Sequence, residues 1–298
     1  MEKYYCDIGS STIKVYCYQN EKLELREEKS ILFQDSFSEK EGISFVQYRM
    51  LLSYFKNLTE KYSWTNQNTK LYATGIWRQI PQKQMDNLKA DFRDLGLQWR
   101  VLSHEQENFY FQKAMQGIYD GKRVLMVNMK AKTTELVVIE KANRKEIINL
   151  SIGVENLLKQ FPNINQLDSG LKIEEIIDYV INQIQDKVIN LKCDCAIPIG
   201  GQLRFEKLLE YPLEKNSIFH DGIHEEMISY KAFAEKNEEL FYQISLKQLY
   251  HLVPNDTKWM DGVKAGLLLE QALFKQAGSF VIVPSDLNLI YGVIKCGE

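Results

Sequence analysis

Apolar and polar positions alternate in two rhythms along this chain, and each change of rhythm marks an element. Near the N-terminus period-two alternation predicts strands over 4–6, 13–18 and 22–33, with Asn20-Glu21 as a hairpin turn between the last two. Helical spacing takes over at 44–62, where Val46, Met50, Leu51, Tyr54, Phe55 and Leu58 recur. A short strand over 70–73, a helix over 82–95 ending at Gly96, a strand over 97–102 and a helix over 105–117 follow. The same order restarts at Arg123, with strands over 123–128, 134–140 and 144–150 and a helix over 153–160. The stripe Ile173, Ile176, Ile177, Val180, Ile181 and Ile184 predicts a longer helix over 171–188. A strand over 195–199 runs into Gly200-Gly201 and a helix from about 202 to 210; helices dominate 226–277, and 280–283 is a last strand.

Residues 124–138 repeat the design of the N-terminal strand–turn–strand unit about half a chain later. Superimposed, Asp7 falls on Asn128, Thr12 on Thr133 and Lys14 on Glu135. This predicts a duplicated α/β fold, each half offering one polar turn to a shared cleft. The boundary is expected at Tyr119–Lys122, giving domains 1–120 and 121–298.

The first turn carries the chemistry that stands out. Gly9 offers positive φ and close backbone approach, and Ser10, Ser11 and Thr12 add hydroxyls, a combination that suits a concave anion nest. Asp7, at the end of the first strand, is placed to hold a divalent ion or a water beside a bound phosphate. The ordinary alternative is a hairpin with a glycine turn.

Composition narrows the function class. The chain has 298 residues, 45% hydrophobic and 26% charged, which is globular composition. A net charge of −3 argues against nonspecific nucleic-acid binding, so a polyanionic ligand would have to be met by local Lys and Arg. The cysteines are Cys6, Cys17, Cys193, Cys195 and Cys296, odd in number and without a disulfide-framework spacing, which favours a reducing compartment. No leader-like segment and no run of membrane-spanning length is evident, so a soluble cytoplasmic protein is expected. Cys193 and Cys195 read as buried strand cysteines rather than a metal half-site. His220 and His224, four apart, pose a metal reading that Gly222 and the lack of a third ligand weaken.

The motifs taken together resemble the actin-like ATPase superfamily, and within it the exopolyphosphatase/guanosine pentaphosphate phosphatase family, over nearly the whole length. Asp7-Ile8-Gly9-Ser10-Ser11-Thr12-Ile13-Lys14 is similar to that family's Asp-Ile-Gly-Ser-Asn-Ser-x-Arg, and Ala73-Thr74-Gly75-Ile76-Trp77-Arg78 to its Ala-Thr-Ser-x-x-Arg. Ser103-His104-Glu105-Gln106-Glu107-Asn108 resembles its Ser-Gly-x-Glu-Glu-Ala, and Ile199-Gly200-Gly201-Gln202-Leu203-Arg204 its Gly-Gly-Thr-x-Arg. Asp261–Gly266 and Ser285–Gly292 resemble its closing motifs. The departures cluster in the second turn, where Asn128-Met129-Lys130-Ala131-Lys132-Thr133-Thr134-Glu135 replaces Asp-Ile-Gly-Gly-Gly-Ser-Thr-Glu. Lys130 and Lys132 are poor copies of a turn that needs positive φ, and Asn128 lacks the charge of a metal-ligating acid.

The resemblance implies two actin-like (ribonuclease H-like) domains, with mixed five-stranded sheets facing a central cleft. It implies hydrolysis of terminal phosphate from polyphosphate or guanosine pentaphosphate, with Glu107 as catalytic base. Phosphate is expected at Gly9, Ser10, Ser11, Thr12, Lys14, Thr74, Arg78, Thr133, Gly200 and Gly201, and Mg²⁺ at Asp7 and Glu135. The residue-level alternatives stay open: Glu107 as a first-turn acid complementing the helix dipole, Asp7 as a turn cap and Glu135 as an exposed strand position. At the level of function the alternatives are a catalytically impaired relative that binds a phosphorylated ligand or a protein, and an actin-like nucleotide binder or kinase. Expected partners are polyphosphate or a phosphorylated nucleotide, without nucleic acid or membrane, and a homodimer is an open alternative.

Overall fold

A computed structural model of the chain describes residues 2–115, 119–140, 143–189, 191–254 and 257–297. Gln116 and Gly117, the end of the predicted helix over 105–117, lie outside the described residues. The chain divides into two compact units, Met1–Ala114 with Leu289–Glu298, and Met115–Asn288. The division therefore comes slightly before the expected residue 120, and the final segment folds with the first unit rather than the second.

In the first unit β1 (Lys3–Ile8), β2 (Thr12–Gln19) and β3 (Lys22–Ser30) form an antiparallel meander. Asn20 and Glu21 turn β2 into β3 with φ of 51° and 63°, the paired left-handed geometry that matches strand twist in two-residue hairpins. Helix α1 (Phe45–Tyr62) leads to β4 (Thr69–Ala73), α2 (Gln82–Asp94) to β5 (Trp99–Val101), and α3 (His104–Met115) follows. The sheet order is β3-β2-β1-β4-β5, with β1, β4 and β5 parallel. One face packs Ile8, Ile13 and Val15 against Leu51, Phe55, Leu88, Phe92 and three buried tryptophans, Trp64, Trp77 and Trp99. Of the predicted α1 stripe, Leu51, Phe55 and Leu58 are buried, whereas Val46 and Met50 face solvent.

The other face packs Tyr5, Tyr16 and Tyr72 against Tyr110 of α3 and the C-terminal helix Leu289–Lys295. A side-chain carbon at Gly292 would lie 1.7 Å from the Tyr110 carbonyl oxygen, so only glycine permits this packing. Lys295 Nζ donates to the Ala114 carbonyl oxygen at 2.9 Å, placing a cation at the negative end of α3.

The second unit repeats the plan. Strands β6 (Arg123–Met129), β7 (Thr134–Glu140) and β8 (Asn143–Leu150) are an antiparallel meander, followed by α4 (Val154–Gln160) and α5 (Ile173–Ile184). Then come β9 (Cys195–Pro198), α6 (Gln202–Leu208), β10 (Glu214–Lys215), β11 (Glu226–Ser229), α7 (Tyr230–Gln243), α8 (Leu246–Leu252), α9 (Val263–Ala277) and β12 (Val281–Ile282). The order β8-β7-β6-β9-β12, with β6, β9 and β12 parallel, reproduces the five strands of the first sheet. Two short antiparallel strands, β11 and β10, extend it to seven rather than the expected five.

Helix α9 is buried almost throughout, against α4, α5 and α7. Its one buried cation, Lys264, donates from Nζ to the Phe241 carbonyl oxygen (2.9 Å) in the last turn of α7, and burial lowers its pKa to about 8. The observed class, two α/β units with mixed sheets, is the one the sequence implies. No helix among the described residues is long and apolar enough to cross a membrane.

Candidate functional site

The first unit gathers its candidate residues at the carboxyl ends of β1, β4 and β5, where parallel strands of α/β sheets commonly present ligand sites. The turn after β1 is closed by the Gly9 N–H donating to the Thr12 carbonyl oxygen at 2.9 Å. Its outer carbonyls are committed: Ser10 O accepts from Gln34 N (3.3 Å) and Ser11 O from Ile31 N (3.0 Å). Trp77 Nε1 donates to Gly9 O at 3.0 Å, and the Ile76 N–H donates to Ser10 Oγ at 3.2 Å. These bonds fasten the turn to the 3-10 segment Gly75–Arg78 that follows β4. Gly75 has φ +69°, and an added carbon there would sit 2.2 Å from Ser10 Oγ, so glycine is strongly favoured after Thr74.

Gly9 itself does not use positive φ, contrary to the expectation from sequence. An added carbon would come 3.3 Å from Thr12 O, which is tight but not excluded. That explains how lysine occupies the matching position of the second unit. There the Lys130 N–H donates to Thr133 O at 2.9 Å, the same closing bond, without left-handed backbone at Lys130 or Lys132. The cross-strand pairs Asp7–Lys14 and Asn128–Glu135 confirm the register of the repeat. The carbonyls of Lys130 and Ala131 accept from Val154 N (3.3 Å) and Glu155 N (2.8 Å) at the start of α4. Gly153 makes this possible, since an added carbon would lie 2.4 Å from Lys130 O.

Arg78 and Glu107 meet in the first unit. Arg78 Nη1 donates to Glu107 Oε2 at 2.8 Å and to the Leu102 carbonyl oxygen at 3.1 Å, with both side chains largely buried. Leu102 N in turn donates to Ala73 O, and Thr74 N to Ile8 O, so strand ends, 3-10 segment and helix form one hydrogen-bonded frame. Glu107 sits in the first turn of α3 because Ser103 and Gln106 cap that helix reciprocally: Ser103 N donates to Gln106 Oε1 (3.0 Å) and Gln106 N to Ser103 Oγ (3.1 Å). Gln106 thus has a capping role of its own. Lys14 pairs with Glu28 at 3.8 Å, its neighbour across β2 and β3. Asp7 is half-buried in β1.

In the second unit Thr133 is exposed and Glu135 half-buried, and the buried threonine is Thr134, whose Oγ1 donates to Ile152 O at 2.8 Å. Gly200 and Gly201 follow β9 with φ of 98° and 107°, a left-handed pair that only glycines adopt without strain. Gly200 N donates to Leu287 O (3.2 Å), Gln202 N to Ser285 O (3.2 Å) and Arg204 N to Asp286 Oδ1 (3.1 Å). The Gly-Gly motif and the closing motif at 285–288 are therefore one structural element.

The histidine pair does not form a metal face. Residues 220–224 are not helical; His220 is exposed, and His224 is buried with Nδ1 2.6 Å from Asp221 Oδ2 and Nε2 2.6 Å from Ser285 Oγ. Among the described residues no group of three His, Cys, Asp or Glu side chains is arranged to hold a metal ion. Two buried acids escaped sequence reasoning as well: Gln202 Nε2 bridges Glu206 Oε1 (3.4 Å) and Glu270 Oε2 (2.9 Å), while Glu206 Oε2 has no hydrogen-bond partner among the described residues. Burial pushes the Glu206 pKa up to about 8. Burial and the nearby Glu206 raise that of Glu270 well above the usual carboxylate range.

No family model and no curated protein sequence matches the chain. Among solved structures, a Ppx/GppA family member from Aquifex aeolicus superposes with a TM-score of 0.70 at 19% identity, covering 100% of this chain and 97% of that one. An exopolyphosphatase from Cytophaga hutchinsonii superposes with a TM-score of 0.71 at 13% identity, covering 99% and 96%. The type II variant of the Aquifex aeolicus Ppx/GppA phosphatase gives 0.71 at 18%, covering 99% of each chain. At these identities the likeness shows that the chain has the fold of these proteins from end to end.

Proposed function

We propose that this chain is an exopolyphosphatase-like hydrolase, releasing terminal phosphate from polyphosphate or guanosine pentaphosphate at the strand ends of its first unit. The observation that carries the reading is the Arg78–Glu107 pair beside the Gly9–Thr12 turn. A carboxylate held by a guanidinium at the end of a parallel sheet suits a water-orienting base, and catalysis of phosphoryl transfer is mainly positioning and charge stabilisation. Arg78 makes both of its bonds through Nη1, so Nε and Nη2 are the donors it can offer a phosphoryl group. In the first unit the phosphate-binding set is Gly9, Ser10, Ser11, Thr12, Lys14, Thr74 and Arg78; in the second, Thr133, Gly200 and Gly201 are proposed to contact phosphate.

The side chains present fit Mg²⁺ in a restricted way. With no cluster of three ligating side chains among the described residues, an all-protein cage is not supported. Mg²⁺ usually keeps its waters and binds one or two carboxylates plus substrate phosphates; Asp7 suits that in the first unit and Glu135, taken by itself, in the second. When bound it would neutralise phosphoryl charge; the rest falls to the chain's own groups. Glu107 would accept a proton from the attacking water, and Arg78 would orient Glu107 and bind phosphoryl oxygen.

A second reading, a catalytically silent phosphate-ligand binder, is favoured by one feature: Asn128 stands where the first unit has Asp7. Phosphate release measured with Mg²⁺ on polyphosphate, guanosine pentaphosphate and ATP separates the readings. Release that depends on Glu107 supports hydrolysis; tight binding without release supports the silent protein.

A further inference from the structure

We propose that Asp221, His224 and Ser285 form a buried positioning relay that fixes the geometry of the Gly200–Gly201 turn. The part this turn plays in ligand binding rests on the function proposed above; its positioning by the relay does not. His224 bridges the other two, with Nδ1 2.6 Å from Asp221 Oδ2 and Nε2 2.6 Å from Ser285 Oγ. The imidazole packs in a triangle with the Phe219 and Tyr119 rings, 5.6 Å and 6.3 Å from their centroids, which lie 5.4 Å from each other. Asp221 Oδ1 accepts the N–H groups of Ile223 (2.9 Å) and His224 (2.8 Å). Burial opposes ionisation of Asp221, but the His224 ring and these backbone donors outweigh it and hold the carboxyl below its ordinary range.

The roles follow from that charge. An ionised Asp221 only accepts, so Nδ1–H of His224 donates to it, and Nε2 shares a hydrogen bond with the Ser285 hydroxyl. Ser285 Oγ then accepts the Leu287 N–H at 3.1 Å. All three polar side chains are satisfied, and a fully satisfied buried network specifies one arrangement of the backbone that carries it. Ser285 is only 1% exposed, so the same trio that elsewhere activates a serine for attack has no route to a substrate here.

What the relay holds is the clasp on the double-glycine turn. Ser285 N donates to Pro198 O (2.9 Å), Gln202 N to Ser285 O (3.2 Å), and Gly200 N to Leu287 O (3.2 Å). Gly200 and Gly201 are two successive left-handed residues, and an added carbon at Gly200 would meet nothing within 4 Å among the described residues. The hydrogen bonds from 285–287 hold the turn, and the His224–Ser285 bond sets where that segment lies.

Amide hydrogen exchange by NMR on the full chain, with polyphosphate affinity measured in parallel, tests this. In Ser285→Ala, exchange at Gly200 and Gln202 should rise about tenfold or more while Leu125 and Leu136 in β6 and β7 are unchanged, and Ser285→Thr should restore the wild-type rates. Polyphosphate affinity should fall in Ser285→Ala and return in Ser285→Thr. If Ser285→Ala does not fold, His224→Gln, which keeps a polar partner for Ser285, gives the same comparison. Unchanged exchange at Gly200 and Gln202 in a folded variant would overturn the relay, as would a uniform rise across β6 and β7. The expected exchange pattern in a chain that binds no polyphosphate would support the relay and refute the phosphate role of the turn.

Discussion

Arg78 Nη1 and Glu107 Oε2 lie 2.8 Å apart, so the two residues singled out for separate catalytic duties are each other's partners. Their coupling is measurable without any substrate. Arg78→Met removes the guanidinium partner of a largely buried carboxylate and should cost about 3 kcal/mol of stability, the lower end for breaking a buried pair because both side chains keep some solvent contact. Glu107→Gln, which still accepts from Arg78, should cost less. A double-mutant cycle in urea showing independent effects would mean the pair is not coupled.

The buried acids predict a pH dependence. Glu206, raised to about 8 from an ordinary value of 4.5, binds its proton more tightly folded than unfolded. Its contribution to stability is therefore present in acid and lost as pH rises from about 4.5 toward 8. Glu206→Gln should raise the denaturation midpoint at pH 8 and barely change it at pH 4. An equal shift at both pH values would show that ionisation of Glu206 is not what destabilises the unit.

Two glycines, one in the first turn and one packed against the matching turn of the second unit, should respond differently to alanine. Gly153→Ala forces a carbon to 2.4 Å from Lys130 O and should cost roughly 1–3 kcal/mol as turn and helix move apart. Gly9→Ala meets Thr12 O at 3.3 Å, and its cost should stay below about 1 kcal/mol. Chemical denaturation midpoints of the two variants check the contrast. A larger loss at Gly9 would contradict the turn geometry.

The duplicated plan was legible because a period-two strand, a polar turn and a second strand leave a strong local pattern, and the pairing of Asn128 with Glu135 reproduces that of Asp7 with Lys14. The Asn20-Glu21 hairpin was legible for the same reason. Helical spacing placed α1 but could not tell that Val46 and Met50 lie beyond the covered part of the stripe. The strands β10 and β11 are too short for any alternation to register. Asp221 and His224 are near neighbours, but Ser285 lies 61 residues from His224, and only the fold brings them together. The demand for positive φ at Gly9 came from a motif and not from local sterics; Lys130 shows that the turn closes without it.

The most direct measurement is phosphate release from polyphosphate with Mg²⁺, in wild type and in Glu107→Gln, alongside binding. A general-base role predicts measurable wild-type turnover, a fall of roughly a hundredfold or more in kcat for Glu107→Gln, and a Kd changed by no more than about threefold. Equal turnover in both proteins, or tight binding with no release by wild type, would contradict it.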